Sequence, residues 1–172
     1  MGCRDTRDLK KLCGCRIGRV GVVLGSKPAE REMLAMCETA VVTKARTKGG
    51  VVAYLMVDGA TKAAEFYQRA FGAEIAAAHP VDAKGRTMHV HLYINGSSLM
   101  LSDPYPEHGC PLKEPQGFSM VLEVDDIDAY WKRAGDAGAS VVMPIADMFW
   151  GDRYGQLRDP FGVVWGLNQP KS

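Results

Sequence analysis

The chain contains two successive stretches that follow the same order of sequence patterns. An alternating apolar run, an amphipathic segment and a strand-rich tail extend from Val51 to Asp103, and the same order recurs from Phe118 to Asn168. A repeat of about 65 residues is longer than a solenoid unit and occurs too few times for a propeller. The repeat therefore predicts an α+β fold. Its two β-α-β-β-β modules are expected to form a curved mixed sheet around a central cup, with the helices on the outer face.

The module boundaries follow from this repeat. We assign residues 51–108 and 116–170 to the two modules of a single domain that spans 51–172, a size that can bury one good core. Residues 1–50 lack a convincing alternating pattern and are assigned to an N-terminal extension. The extension is either a flexible tail or the product of a start read too early, with the biological chain beginning at Met33 or Met36.

Charge and composition exclude several classes of protein. A formal net charge of +1 and the absence of a basic cluster interleaved with aromatic residues argue against a nucleic-acid partner. No apolar run approaches the roughly 20 residues that cross a bilayer, and no clear signal-peptide cleavage site follows the basic start. We therefore expect a cytoplasmic protein without a membrane partner. Cys13 and Cys15 are separated by one residue, which is shorter than zinc-knuckle spacing, so the five cysteines are interpreted as reduced thiols.

The two helices have recognisable ends. In the first module Thr61 is the expected N-cap and Gly72 the expected end. In the second module Asp125 or Asp126 is the expected N-cap, and Gly138 is expected to end the helix.

Strand alternation assigns side chains to the two faces of each sheet. The rows expected to pack against the helices are Ala53, Leu55, Val57, Val90, Leu92, Ile94, Leu99, Leu101, Met120, Leu122, Val124, Val163, Trp165 and Leu167. The opposite face holds Tyr54, Met56, His89, His91, Tyr93, Met100, Ser102, Ser119, Glu123 and Asn168. Apolar walls with a few polar groups are typical of a small-molecule cavity, although a face of this kind also suits solvent or a dimer partner.

The opposite face supplies the candidate site residues. His89 and His91 project from the same strand face, and Glu123 is expected across the cup, so these three are the candidate catalytic residues. A histidine there could act as an acid or base near neutral pH, and two histidines with one carboxylate would also suit zinc or iron. The candidate ligand-binding residues are Tyr54, Met56, Tyr93, Ser102 and Ser119, joined by Trp150, Tyr154 and Arg158 from a Gly-punctuated segment. The turn Asp159–Gly162 is predicted to be structural.

Three tracts identify a family resemblance. The chain resembles the glyoxalase, bleomycin-resistance and ring-cleaving dioxygenase superfamily, and within it the PhnB-like group. The resemblance rests on the repeat and on the tracts VDGATKAAEFYQRAFGAE, MHVHLYINGSSLMLSD and MFWGDRYGQLRDPFGVVWGL. The resemblance covers residues 50–170. It implies metal donors at inward positions of the first and last strands of each module. These positions fall on Val52, Ser119, Met100 or Ser102, and Gly166, which are not strong metal ligands.

The resemblance leaves three functional classes open. The first is a member without the usual metal or any other cofactor, which binds a small organic molecule and either sequesters it or acts on it. The second is a metal-dependent lyase, isomerase or dioxygenase with a displaced metal site. The third is a non-catalytic interaction module. Because relatives of this fold commonly form twofold dimers, we also expect a homodimer.

Overall fold

The computed structural model describes residues 45–171. Most of the predicted extension, including Met33, Met36 and four of the five cysteines, lies outside the described residues. In chain order the elements are β1 (Ala53–Met56), α1 (Ala60–Phe71), β2 (Glu74–Ala78), β3 (Val90–Ile94), β4 (Ser97–Ser102), a 3-10 turn (Pro106–His108), β5 (Met120–Glu123), α2 (Ile127–Ala137), β6 (Ser140–Asp147), β7 (Arg153–Arg158) and β8 (Val164–Gln169).

The strands form two four-stranded mixed sheets with the same topology. Their orders are β1-β4-β3-β2 and β5-β8-β7-β6. The first strand of each module runs parallel to the last, and the remaining pairs are antiparallel. The predicted α+β class and its two β-α-β-β-β modules are therefore confirmed. Within residues 45–171 no ladder joins the two sheets, so β1 and β5 each keep a free edge.

The face predicted to pack against the helices forms the core. Every residue of the predicted rows belongs to one apolar cluster or packs against it. Neighbouring strands align these rows, since Leu55 pairs with Leu101 and Leu122 pairs with Leu167. The assignment of the two faces from alternation is therefore correct for this side of both sheets.

Aromatic side chains join the two modules. Trp165 of β8 lies 5.1 Å from the Tyr67 ring and 4.7 Å from the Phe71 ring, both on α1 of the other module. Phe66 of α1 also contacts Phe161, with 6.2 Å between ring centroids. Because tilted and edge-to-face aromatic pairs add to the free energy of burial, the modules share one core.

Asp159 connects the turn before β8 to the first module. Its carboxyl group is 4% exposed and accepts hydrogen bonds from Tyr67 Oη (2.7 Å) and Trp165 Nε1 (2.9 Å). It also accepts the backbone N–H groups of Phe161 and Val163, both at 2.9 Å. The predicted structural role of the turn Asp159–Gly162 is confirmed, and the turn also links the two modules.

The start of α1 differs from the prediction. The helix begins at Ala60 after Gly59, whose φ of 90° is left-handed, and Thr61 is not its N-cap. The carboxylate of Asp103, at the end of β4, accepts the N–H groups of Gly59 (2.7 Å) and Ala60 (3.1 Å) instead. The Thr61 prediction was wrong because a residue distant in sequence supplies the acceptor.

The other helix ends agree with the sequence. Asp126 caps α2 by accepting the N–H of Ala129 at 3.0 Å, and Gly72 and Gly138 end the two helices in the left-handed conformation. Neither helix of residues 45–171 is long and apolar enough to span a membrane.

Replacing Tyr67 with phenylalanine tests the contact with Asp159. Burial, followed by the nearby Asp159 carboxyl group, raises the pKa of Tyr67 well above its ordinary value of 10.0. Above about pH 10 the unfolded chain therefore loses the Tyr67 proton while the folded chain keeps it, so stability falls as pH rises. We expect Tyr67→Phe to lose about 1–3 kcal/mol at neutral pH. The unfolding free energy of Tyr67→Phe should also fall less steeply than that of the wild type as the pH rises into the alkaline range.

Urea unfolding from about pH 7 to about pH 11 measures both effects. Tyr130→Phe on α2 is the control for the loss of one tyrosine that does not contact Asp159. Parallel alkaline curves for the wild type and Tyr67→Phe would contradict this assignment.

Candidate functional site

Two predicted site residues meet on the first sheet. The Tyr54 hydroxyl lies 3.1 Å from the Met88 carbonyl oxygen and 3.2 Å from His89 Nδ1. The Tyr54 side chain is 53% exposed, whereas Ser102, a third predicted site residue, is buried at the end of β4. A phenol and an imidazole are therefore within hydrogen-bond reach of each other at an accessible surface.

The electrostatics of this group favour a neutral imidazole. Burial lowers the pKa of His89, and the nearby rings of His79 and His91 lower it further. Those rings lie 6.0 Å and 6.4 Å from the His89 ring. For Tyr54, burial raises the pKa, and the polar side chain of Ser102 partly opposes the shift. At neutral pH His89 is therefore able to accept a proton, and Tyr54 keeps its own.

His91 and Tyr93 lie in contacts that involve residues 46–48, which precede the first module. His91 is 2% exposed, and its Nε2 lies 2.8 Å from Ser98 Oγ, which accepts the N–H of Lys48 at 2.8 Å. The Tyr93 hydroxyl donates to the Arg46 carbonyl at 2.6 Å, and Lys48 Nζ lies 3.8 Å from the ring centroid. These contacts are typical of structural side chains. Alternation could not predict them because residues 46–48 were assigned to the extension.

The remaining predicted site residues belong to the second module. Trp150 and Tyr154 make an edge-to-face contact at 5.8 Å, and Gln156 Nε2 donates to the Tyr154 hydroxyl at 3.0 Å. Arg158 donates to the Gly162 carbonyl at 3.1 Å. Ser119, directly before β5, and Glu123, the last residue of β5, are both exposed.

The sequence also allowed the two histidines and Glu123 to form a metal-binding set. Within the described part of the sequence, no three His, Cys, Asp or Glu side chains lie close enough together to hold a metal ion. His89, His91 and Glu123 therefore do not form the two-histidine, one-carboxylate site that the sequence allowed. The backbone carbonyl of Glu123 accepts a hydrogen bond from Asn95 Nδ2 of the first module at 2.6 Å.

A large cavity lies between β1 and the linker, which we define as residues 103–119 between β4 and β5. Its volume is about 870 Å³. The lining residues are Tyr54, Leu55, Met56, His108, Gly109, Cys110, Pro111, Lys113, Glu114, Pro115, Gln116, Phe118 and Val163. Of the predicted ligand-binding residues, Tyr54 and Met56 line it. The linker was missed because it was treated as a connection, although its prolines and Phe118 were a signal of an ordered apolar surface.

Tyr154 lies directly on the backbone of Gly166. A Cβ atom at position 166 would collide with the Tyr154 hydroxyl and lie 2.8 Å from two of its ring carbons. Gly155, on the neighbouring strand, makes similar room on the opposite face, where a Cβ atom would lie 2.7 Å from Trp131. Both glycines are therefore required by the aromatic side chains that cover them.

Comparison with known proteins identifies the family. A family model of the Glyoxalase/Bleomycin resistance protein/Dioxygenase superfamily matches residues 49–167, and the chain belongs to this superfamily. The uncharacterized protein Rv0887c of Mycobacterium tuberculosis is 41% identical over 123 residues, which cover 68% of this chain and 72% of that protein.

Solved structures show the same fold. The crystal structure of protein PA1353 from Pseudomonas aeruginosa has a TM-score of 0.60 and 31% identity, covering 72% of this chain and 99% of that one. A PhnB protein from Bacillus cereus has a TM-score of 0.55 and 23% identity, covering 70% of this chain and 97% of that one. The superfamily resemblance inferred from the three sequence tracts is confirmed.

The residues at the superfamily's metal positions do not fit a catalytic metal. Val52 offers no donor atom, and Ser119 offers one exposed hydroxyl group. Ser102 offers one buried hydroxyl group, and the space above Gly166 holds the Tyr154 ring. A catalytic site needs about three strong protein donors and an open position. The residues at these four positions do not supply such a set.

A double substitution tests the packing of Tyr154 on Gly166. Gly166→Ala should cost about 1–3 kcal/mol of unfolding free energy, because the added methyl group displaces the phenol. In a Tyr154→Ala background the same substitution should cost less, since the obstructing ring is gone. Urea denaturation of the four proteins gives the coupling energy. Gly155→Ala is the matched control, because the unfolding free energy that it costs should be the same with and without Tyr154→Ala. Additive effects of the substitutions at 154 and 166 would disprove the contact.

Proposed function

We propose that the protein binds a small organic molecule in the cavity between β1 and the linker, without the catalytic metal used by metal enzymes of its superfamily. The observation that supports this proposal is the 870 Å³ volume of the cavity together with its lining. Small-molecule sites generally occupy about 300–1,000 Å³ and combine apolar walls with a few polar groups.

The lining defines what kind of molecule fits. Phe118, Met56 and the linker prolines provide apolar walls, and Phe118 is 50% exposed. Lys113 and Glu114 also line the cavity and make no ion pair with any residue from 45 to 171. A largely apolar molecule that carries a polar or charged group suits this combination.

His89 adds a chemical capability next to this cavity. Tyr54 lines the cavity and is hydrogen-bonded to His89, so a bound molecule at Tyr54 would lie near a neutral imidazole. The protein either sequesters its ligand or uses this pair for proton transfer. The metal-dependent alternative has no support in the described residues, since its three side chains are not grouped.

Binding of a fluorescent probe tests the cavity. We expect 8-anilinonaphthalene-1-sulfonate to bind the native protein, since it is apolar and anionic. Phe118→Ala should weaken that binding roughly fivefold through lost apolar contact. Val142→Ala on β6, whose side chain is 45% exposed and does not line the cavity, is the matched control.

Equal weakening by both substitutions, or no binding by the native protein, would contradict the proposal. Native mass spectrometry of co-purifying molecules then identifies the ligand. Elemental analysis of protein purified without chelators separates the classes, because one equivalent of a transition metal would instead favour the metal-dependent alternative.

We also propose that two copies associate as a homodimer. The free edges of β1 and β5 and the exposed Val121, 57% accessible on β5, are surfaces that a second copy would cover. Light scattering after size exclusion should give twice the 18.7 kDa chain mass. Val121→Lys should shift the protein towards monomer, whereas Val142→Lys on β6 should not. A monomeric wild type at micromolar concentration would refute the dimer.

A further inference from the structure

The loop before β3 presents one arginine in a defined position. The Asp82 carboxylate accepts the backbone N–H groups of Lys84 (2.8 Å) and Arg86 (2.9 Å), and the Asp82 carbonyl accepts Gly85 N–H at 2.9 Å. Asp82 Oδ2 also accepts Arg86 Nε at 3.0 Å. The backbone and the guanidinium group of Arg86 are therefore both held by Asp82.

Arg86 reaches from this loop to the beginning of the linker. Its Nη2 lies 2.6 Å from Glu107 Oε1, and its Nη1 donates to the Pro104 carbonyl at 3.5 Å. The guanidinium carbon lies 4.3 Å from the centroid of the Tyr105 ring. The Arg86 side chain, which is only 21% exposed, therefore contacts three linker residues, Pro104, Tyr105 and Glu107.

The linker segment held by Arg86 is a compact turn that becomes the cavity wall. Tyr105 and Cys110 exchange backbone hydrogen bonds of 2.8 Å and 3.0 Å, and His108 N–H donates to the Tyr105 carbonyl at 2.9 Å. His108, Gly109 and Cys110 line the cavity. The rest of the linker, up to β5, has no helix or strand, so few backbone contacts fix it.

We propose that Arg86 is a positioning residue for the ligand cavity, because it holds the turn 105–110 that forms one wall. This inference rests on the proposed function, since it concerns the same cavity. An isolated surface ion pair adds little, but here a planar guanidinium group combines two carboxylates, a carbonyl and an aromatic face. This combination fixes direction as well as distance, which a lysine ammonium group does not do.

Hydrogen exchange and probe binding together test the role of Arg86. In Arg86→Met the amides of His108, Gly109 and Cys110 should exchange about three- to tenfold faster. Binding of 8-anilinonaphthalene-1-sulfonate should weaken by a similar factor, while exchange of core amides in β4 and β8 stays unchanged. Arg86→Lys should recover only part of both effects. Glu107→Gln is a milder second variant with the same direction of change.

Arg153→Met provides the matched control. Arg153 also forms a bidentate pair, with Asp128 at 2.7 Å and 3.1 Å, but it does not line the cavity. Arg153→Met should leave amide exchange in the linker and probe binding unaltered. Faster linker exchange with unchanged probe affinity, or no change in linker exchange, would overturn the proposal. If the wild type fails to bind the probe, the proposed function fails, and the exchange measurement alone decides whether Arg86 holds the linker.

Discussion

The structure depends on the buried carboxyl group of Asp159. It accepts hydrogen bonds from Tyr67 of the first module and from Trp165 and two backbone amides of the second. A buried carboxyl group without partners would be strongly destabilising, whereas here four donors surround it. The hydrogen bonds to Asp159 and the packing of the Tyr67 and Trp165 rings therefore require the same relative position of the two modules.

This junction determines which faces of the sheets remain open. Because the core-facing rows of both sheets are used by α1, α2 and the aromatic contacts between modules, the opposite faces hold the polar side chains. Those faces belong to two sheets that no ladder joins within residues 45–171. The Tyr54–His89 pair belongs to the first module, and the Trp150–Tyr154 pair belongs to the second.

The differences from metal enzymes of the superfamily have a physical basis in packing. At position 166 the absence of a side chain leaves room for the Tyr154 phenol, and glycine offers no side-chain donor for a metal. On the first module the corresponding position near the end of β4 is Ser102, which is buried. The accessible cavity lies instead beside β1, where the linker and its contact with Arg86 supply a wall.

The sequence by itself determined the two modules, the rows that pack into the core and the ends of the helices at Gly72 and Gly138, because these follow from local periodicity and backbone preference. Tertiary structure decided the cap of α1 by Asp103, the burial of His91 and the cavity wall. Each of these joins residues far apart in the chain. Alternation shows which face a side chain is on, but it carries no information about which distant segment covers that face.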